Sequence, residues 1–528
     1  MIGKFWKIIL VCLVSFGGLT SVSAQGGFGP PELGNLLPQG QTAPPHSQPV
    51  PRQEHLKAAL GVLVIDNVVS RDQAVRVLKY FDKHDAAVSV KKILALSVSD
   101  NVITKEQALK IEKALEKIQF QGPPGMESGS KAKPTAVYTQ NGKNAVKAGQ
   151  TIIAARNNQS AVKVSNGGSL TLSNSAINTS GSSSSDDDSN FYGLNAAVLA
   201  ESFSKIKIAD STIRTSGNGA NAVFATGFGS SIDVSNVKIE TTNDSSRGLD
   251  ATLKGTVNAV NVEISTAGMH SAAIATDRGN GTITVTGGTM CTTGIDSPGI
   301  YSTGDITVSN AALTATGSEA AVVEGKNSIT LKNTTLSGVK KRGVMMYQSF
   351  SGDAEVGIAR FTMEGGSLIA HNGPLFYITN TEAAISLTGT DLTSPSGILL
   401  EAGAGNWGTA GKNGADVTFR VNKQTLQGNI VCDPISTVNM HLNNHSTLTG
   451  AVNQNNTARK VALNLDNSSN WQVTGTSYIT SLRNDDQTLS NIADNGFTIY
   501  YDAADSGNDW LAGQTLILEN GGKLTPKN

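Results

Sequence analysis

The chain reads as a mainly β protein, a parallel β-solenoid of about twelve coils with a small α-helical module ahead of it. Three observations predict this. From about residue 135 the sequence repeats one pattern: apolar, any, apolar, any, Asn/Asp/Gly, two more, apolar. A second column, a small residue followed by an aliphatic one, runs in phase with the first. Both recur mostly every 22–26 residues, which suits a coil whose short strands pair with the next coil about 4.8 Å away.

Composition agrees. Of 528 residues 56 are glycine, only 16% are charged and 5% aromatic, while 38% are hydrophobic, enough for a core. A typical soluble chain is about 25% charged. With 41 Lys+Arg against 42 Asp+Glu the net charge is −1, so there is no field to gather a polyanion, which argues against nucleic acid as a partner.

Residues 1–24 have the form of a secretory signal peptide. Lys4 and Lys7 precede the apolar stretch Ile8 to Gly18, and Val22-Ser23-Ala24 supplies a small-residue cleavage site. Val11 before Cys12 does not suit a lipoprotein site. No later stretch is long and apolar enough to span a membrane. The expected location is extracellular or on the cell surface, or the periplasm if export stops there. Cys291 and Cys432 are expected as two buried thiols, because a ladder would hold them too far apart to bond.

A Gly/Pro-rich linker follows at 25–51, then a helical module at 52–120. Its segment Asp66 to Ala74 recurs 34 residues later as Asp100 to Ala108. Ser70 and Thr104 are placed to cap helices, with Gln73 and Gln107 three residues on to complete capping boxes. The copies lack the landmarks of a tetratricopeptide repeat and the ligand spacing of an EF-hand. The module reads as a docking or packing unit. A second linker occupies 121–134, and the solenoid 135–478 ends in a β cap at 479–528, with 135–155 closing its other end.

The repeat's third position holds Asn174, Asp210, Asn236, Asn261, Asn310 and Asn333, among others, and only Lys423 breaks the rule. These types tolerate the left-handed turn such a corner needs, and stacked Asn side chains are expected to form an amide ladder. The second column runs from Ala161-Val162 through Ala321-Val322 and Pro374-Leu375 to Gly397-Ile398.

The ladder, and most specifically Trp471-Gln472-Val473-Thr474-Gly475-Thr476-Ser477, resembles the right-handed parallel β-helix of bacterial autotransporter passengers and related secreted adhesin-like proteins. That resemblance implies an extracellular scaffold for adhesion. The chain departs from it in having too few residues after Trp471 for a membrane barrel.

β-Helices also carry polysaccharide lyases and glycosidases, which need convergent acids. No repeated pairing of strand carboxylates is visible, and Asp186-Asp187-Asp188 reads as a solvated loop. His441 and His445 lie near Cys432 without an apparent fourth metal ligand. No cofactor is implied.

The ladder's interruptions are more informative. Val344 to Phe361 spans 17 residues and Ile398 to Phe419 spans 21. Both insertions leave one corner of the coil, separated by one ordinary coil. They bring Lys340-Lys341-Arg342, Tyr347, Phe350, Asp353 and Glu355 beside Asn406, Trp407 and Lys412, a set suited to stacking a sugar or anchoring a protein. A third insertion, 178–195, leaves a different corner with Phe191 and Tyr192. The expected function is a non-catalytic, adhesin-like β-helix binding glycan or host protein through these loops. The alternatives are a polysaccharide-active enzyme and a purely structural exoprotein.

Overall fold

The computed structural model describes residues 56, 59–60, 63–64, 68–83, 89–117, 134–349 and 351–527. The signal peptide 1–24, the linker 25–51, nearly all of 121–134 and Phe350 lie outside them.

The ladder is a parallel β-solenoid of about 16 turns. One face is a 12-stranded sheet, and the other two short strands of each coil build a 22-stranded sheet. The first column is continuous in register: Leu170 pairs with Ile206, Ile206 with Ile232, and so on through Phe361, Ile385, Phe419 and Met440. All point inward and are buried. The coil count exceeds twelve because segments read as caps are coils. Thr135–Asn141, Asn144–Ala148 and Thr151–Ala154 pair in register with the strands that follow. Ser481–Asn484 and Thr498–Tyr501 extend the far end with a looser repeat.

The second column needs correction. Ile300 pairs with Ala321 rather than Val322, Val344 with Phe376 rather than Leu375, and Phe376 with Leu400 rather than Ile398; a register shift between Ile398 and Leu400 follows where that strand pairs with Asn429–Cys432. A one-residue slip exchanges inward and outward side chains, so Val322 is an outward residue.

Turn chemistry follows the repeat. Asn174, Asp210, Asn236, Asn261, Asn310 and Asn333 have φ between 46° and 54°, and even Lys423 adopts 50°. The amide ladder is shorter than expected. Asn236 donates to Asp210 at 3.0 Å and Asn261 to Asn236 at 3.5 Å. Gly287 then ends it, and a Cβ there would lie 2.7 Å from Asn261 Oδ1. Serines carry the next corner: the Ser246 and Ser271 amides donate to the hydroxyls of Ser271 and Ser297, both at 2.9 Å. Glycine permits the close stacking there, since a Cβ on Gly294 would meet Gly268 O at 1.8 Å.

The helical duplication is also a structural one. Helices α1 (Arg71–Lys83) and α3 (Lys105–Lys117) flank α2 (Val90–Ser99). Both capping boxes form, with Gln73 donating its amide to Ser70 Oγ at 3.1 Å and Gln107 to Thr104 Oγ1 at 3.1 Å. Gln73 Nε2 reaches Val102 O of the other copy, and Gln107 Nε2 reaches Val68 O. Part of the module's apolar face packs on the solenoid. Leu60, Leu78, Leu94 and Ile111 pack with Phe203 of the solenoid, whose ring meets Phe228 edge-on at 6.2 Å.

Cys432 is a buried free thiol, pushed up to about 12 by burial and the Asp433 charge. Cys291 is buried but is not a free thiol, which corrects the expectation.

Candidate functional site

The outer face of the 12-stranded sheet carries a groove of about 1000 Å³. Its floor is a single in-register column, one residue per coil: Tyr301, Val322, Met345, Tyr377 and Glu401. These side chains face outward because the neighbours before and after them in each strand enter the core.

One wall is the third insertion. Asp186–Tyr192 is a helix, α4, rather than a solvated loop: Ser185 Oγ accepts from the Asp188 amide at 3.2 Å, and Gly193 closes it at φ 72°. It lies over the earlier part of the same column, Leu199 and Phe224, and the Phe191 carbonyl accepts from Thr252 Oγ1 at 2.8 Å. The opposite wall comes from the two same-corner insertions. Asn380, on the coil between them, joins both: its side chain donates to Gln348 O at 2.7 Å and its amide to Asn413 O at 3.0 Å. Tyr347 and Trp407 pack at 5.3 Å between centroids.

Tyr347, Asp353, Asn406 and Trp407 line the groove, with Lys340, Lys341 and Arg342. Two expected residues do not. Glu355 is exposed and turns to Lys326, 3.9 Å away. Lys412 faces a neighbouring hollow with Glu382, Asp416 and Arg459. Phe350 lies outside the described residues.

Ion pairs hold most of the groove's charge. Arg247 Nε sits 2.9 Å from Asp277 Oδ2, Arg342 3.1 Å from Glu319, and Arg278 Nε donates to Asp353 at 2.8 Å. Lys341 pairs with Asp296 and lies 3.6 Å from Glu319. The Arg278 guanidinium stacks 3.6 Å from the Phe191 centroid and Arg342 4.0 Å from that of Tyr377. Beneath the floor Glu324, 1% exposed, accepts from Tyr301, from Tyr347 at 3.0 Å and from Ser349. Burial, then the Glu324 charge, pushes both tyrosines above the usual phenol range.

Asp250 occupies the same outward column, two coils before Tyr301. It is fully buried, and neither oxygen meets hydrogen-bond geometry with a partner among the described residues. Burial and then the Asp277 charge raise its pKa well above the carboxylate range.

Sequence reasoning missed the floor, Arg247, Asp277 and the lid over Asp250. The signal was the outward residue after each aliphatic of the second column, which the one-residue slips concealed. The chain matches no protein-family model, no curated protein and no solved structure.

Proposed function

We propose that the chain is a secreted, surface-associated β-helix protein that binds glycan in the groove of its 12-stranded sheet and does not cleave it. The carrying observation is the floor, where Tyr301, Val322, Met345 and Tyr377 stack in register beside Tyr347, which packs against Trp407. Apolar and aromatic side chains in a walled groove suit the C–H faces of sugar rings, while the polar rim offers donors and acceptors to hydroxyls. A concave site favours a narrow chain molecule over a flat protein surface. No described helix is long and apolar enough to cross a membrane, and the adhesin-like role follows the resemblance of the ladder.

Binding is favoured over cleavage by the state of the acids. Asp277, Asp296, Glu319 and Asp353 are ion-paired and Glu324 is surrounded by hydroxyl donors, which leaves Glu401 at the end of the floor as the groove acid without an ion pair among the described residues. Glycoside hydrolysis needs a protonated acid within reach of the leaving oxygen. Asp250, whose pKa is raised by burial and the Asp277 charge, is fully buried. The Asp250–Asp277 proximity is nonetheless the one feature favouring an enzyme as the second reading.

A glycan and matrix-protein array probed with the chain and its Tyr377→Ala variant tests this. The expected result is glycan capture that the variant weakens. Capture of matrix protein alone, or of nothing, would reject the glycan reading. Sugar released from a bound polysaccharide would promote the enzyme.

A further inference from the structure

We propose that the groove takes an uncharged glycan laid along the solenoid axis, roughly one sugar per coil, with a chain end held against the wall formed by α4 and Arg278. This rests on the glycan reading and specifies its ligand.

Direction and length come from the floor. Tyr301, Val322, Met345, Tyr377 and Glu401 are consecutive partners in one parallel ladder, so the floor extends about 19 Å along the axis. The coil-to-coil step is close to the advance per pyranose in an extended glycan. A chain lying along the axis would therefore meet a similar contact at each sugar, whereas a chain lying across the sheet would meet the walls.

Charge comes from the rim. Four of the cations, Arg247, Arg278, Lys341 and Arg342, are each committed to an acid of the groove, and Lys340, exposed on the rim, is the exception among the described residues. A uronate or sulfate reaching any of these four would have to break a pair, exchanging one ionic contact for another, so Lys340 alone is left to favour an anionic sugar. Hydroxyls can use the remaining lone pairs and N–H groups without that exchange.

The closed end comes from the column itself. Beyond Tyr301 it continues through Ala275, Asp250 and Phe224, but α4 covers that stretch, and Arg278 joins Phe191 on one wall to Asp353 on the other. At the opposite end Glu401 is followed by Val431, which is exposed. The column is therefore covered at the α4 end and open at the Val431 end, where a longer chain would continue.

Calorimetric titration of the full chain with cello-, chito- and manno-oligosaccharides, from dimer to hexamer, tests length. An oligogalacturonate series at low and high salt tests charge. A long linear polymer of the best sugar tests the end. The expected result is a several-fold gain in affinity per added sugar until the floor is filled, then a plateau, with one protein bound per polymer chain. Many proteins along one polymer, no dependence on length, or a salt-sensitive preference for oligogalacturonate would overturn the inference while leaving glycan binding intact. No binding to any series, together with a blank array, would instead remove the underlying reading.

Discussion

Arg278 lies with its guanidinium 3.6 Å from the Phe191 ring centroid and donates from Nε to Asp353 at 2.8 Å. The insertion carrying Phe191 enters the 12-stranded sheet, and the one carrying Asp353 leaves it, so a single side chain ties walls on opposite sides of the groove. Arg278 and Asp353 are both largely buried. Arg278→Ala leaves the carboxylate without its cation and is expected to cost about 2 kcal/mol. Hydrogen exchange should quicken in 186–192 and 351–358 together. Quickening in only one of them would show that the walls are independent.

Asp250 sets a pH dependence. An unfolded aspartate loses its proton near 3.9, whereas folded Asp250 is raised well above that by burial. Folding at higher pH must take up a proton, so this group's contribution falls as pH rises from about 4 towards its folded pKa. Asp250→Asn should flatten that slope in denaturant midpoints measured across the range. An unchanged slope would assign the effect elsewhere.

Gln73 and Gln107 form a reciprocal pair, hydrogen-bonded to each other at 3.1 Å and each to a carbonyl of the other copy. Each Gln→Ala should cost about 1 kcal/mol as a lost cap. The double variant should lose less than the sum, because both singles remove the shared bond. Strict additivity in the helical circular-dichroism transition would contradict the coupling.

Trp471 is fully buried, in register with Leu448 and Leu426, and donates from Nε1 to Gly450 O at 3.0 Å. Trp471→Ala should cost about 3–5 kcal/mol and loosen the C-terminal coils first. A thermal midpoint close to that of the unaltered chain would be incompatible with this packing.

The inward first column and its turns were legible from sequence because they obey two strong local rules, strand alternation and left-handed turn residues. Where the repeat gains one residue, between Asn444 and Leu448 and between Asn467 and Trp471, Leu426, Leu448 and Trp471 still pair in register. The second column was legible only while a small residue preceded each aliphatic. At Ala321 and Phe376 the inward residue changes size, and periodicity no longer separates inward from outward. The groove depended on that distinction. Trp407 and Tyr347 were found because insertions break a period, whereas Tyr301 and Tyr377 sit at ordinary ladder positions. Asp250 gave no local signal, since the helix whose Phe191 carbonyl accepts from Thr252 of the same strand lies about sixty residues earlier in the chain.

The most direct test of glycan binding in this groove is hydrogen–deuterium exchange of the full chain with and without a saturating neutral oligosaccharide from the array. The account predicts slowed exchange at 340–342 and 403–414, around Arg342 and Trp407, with the outer face of the 22-stranded sheet and helices α1–α3 unchanged. Protection confined to that other sheet or to the helices would contradict it.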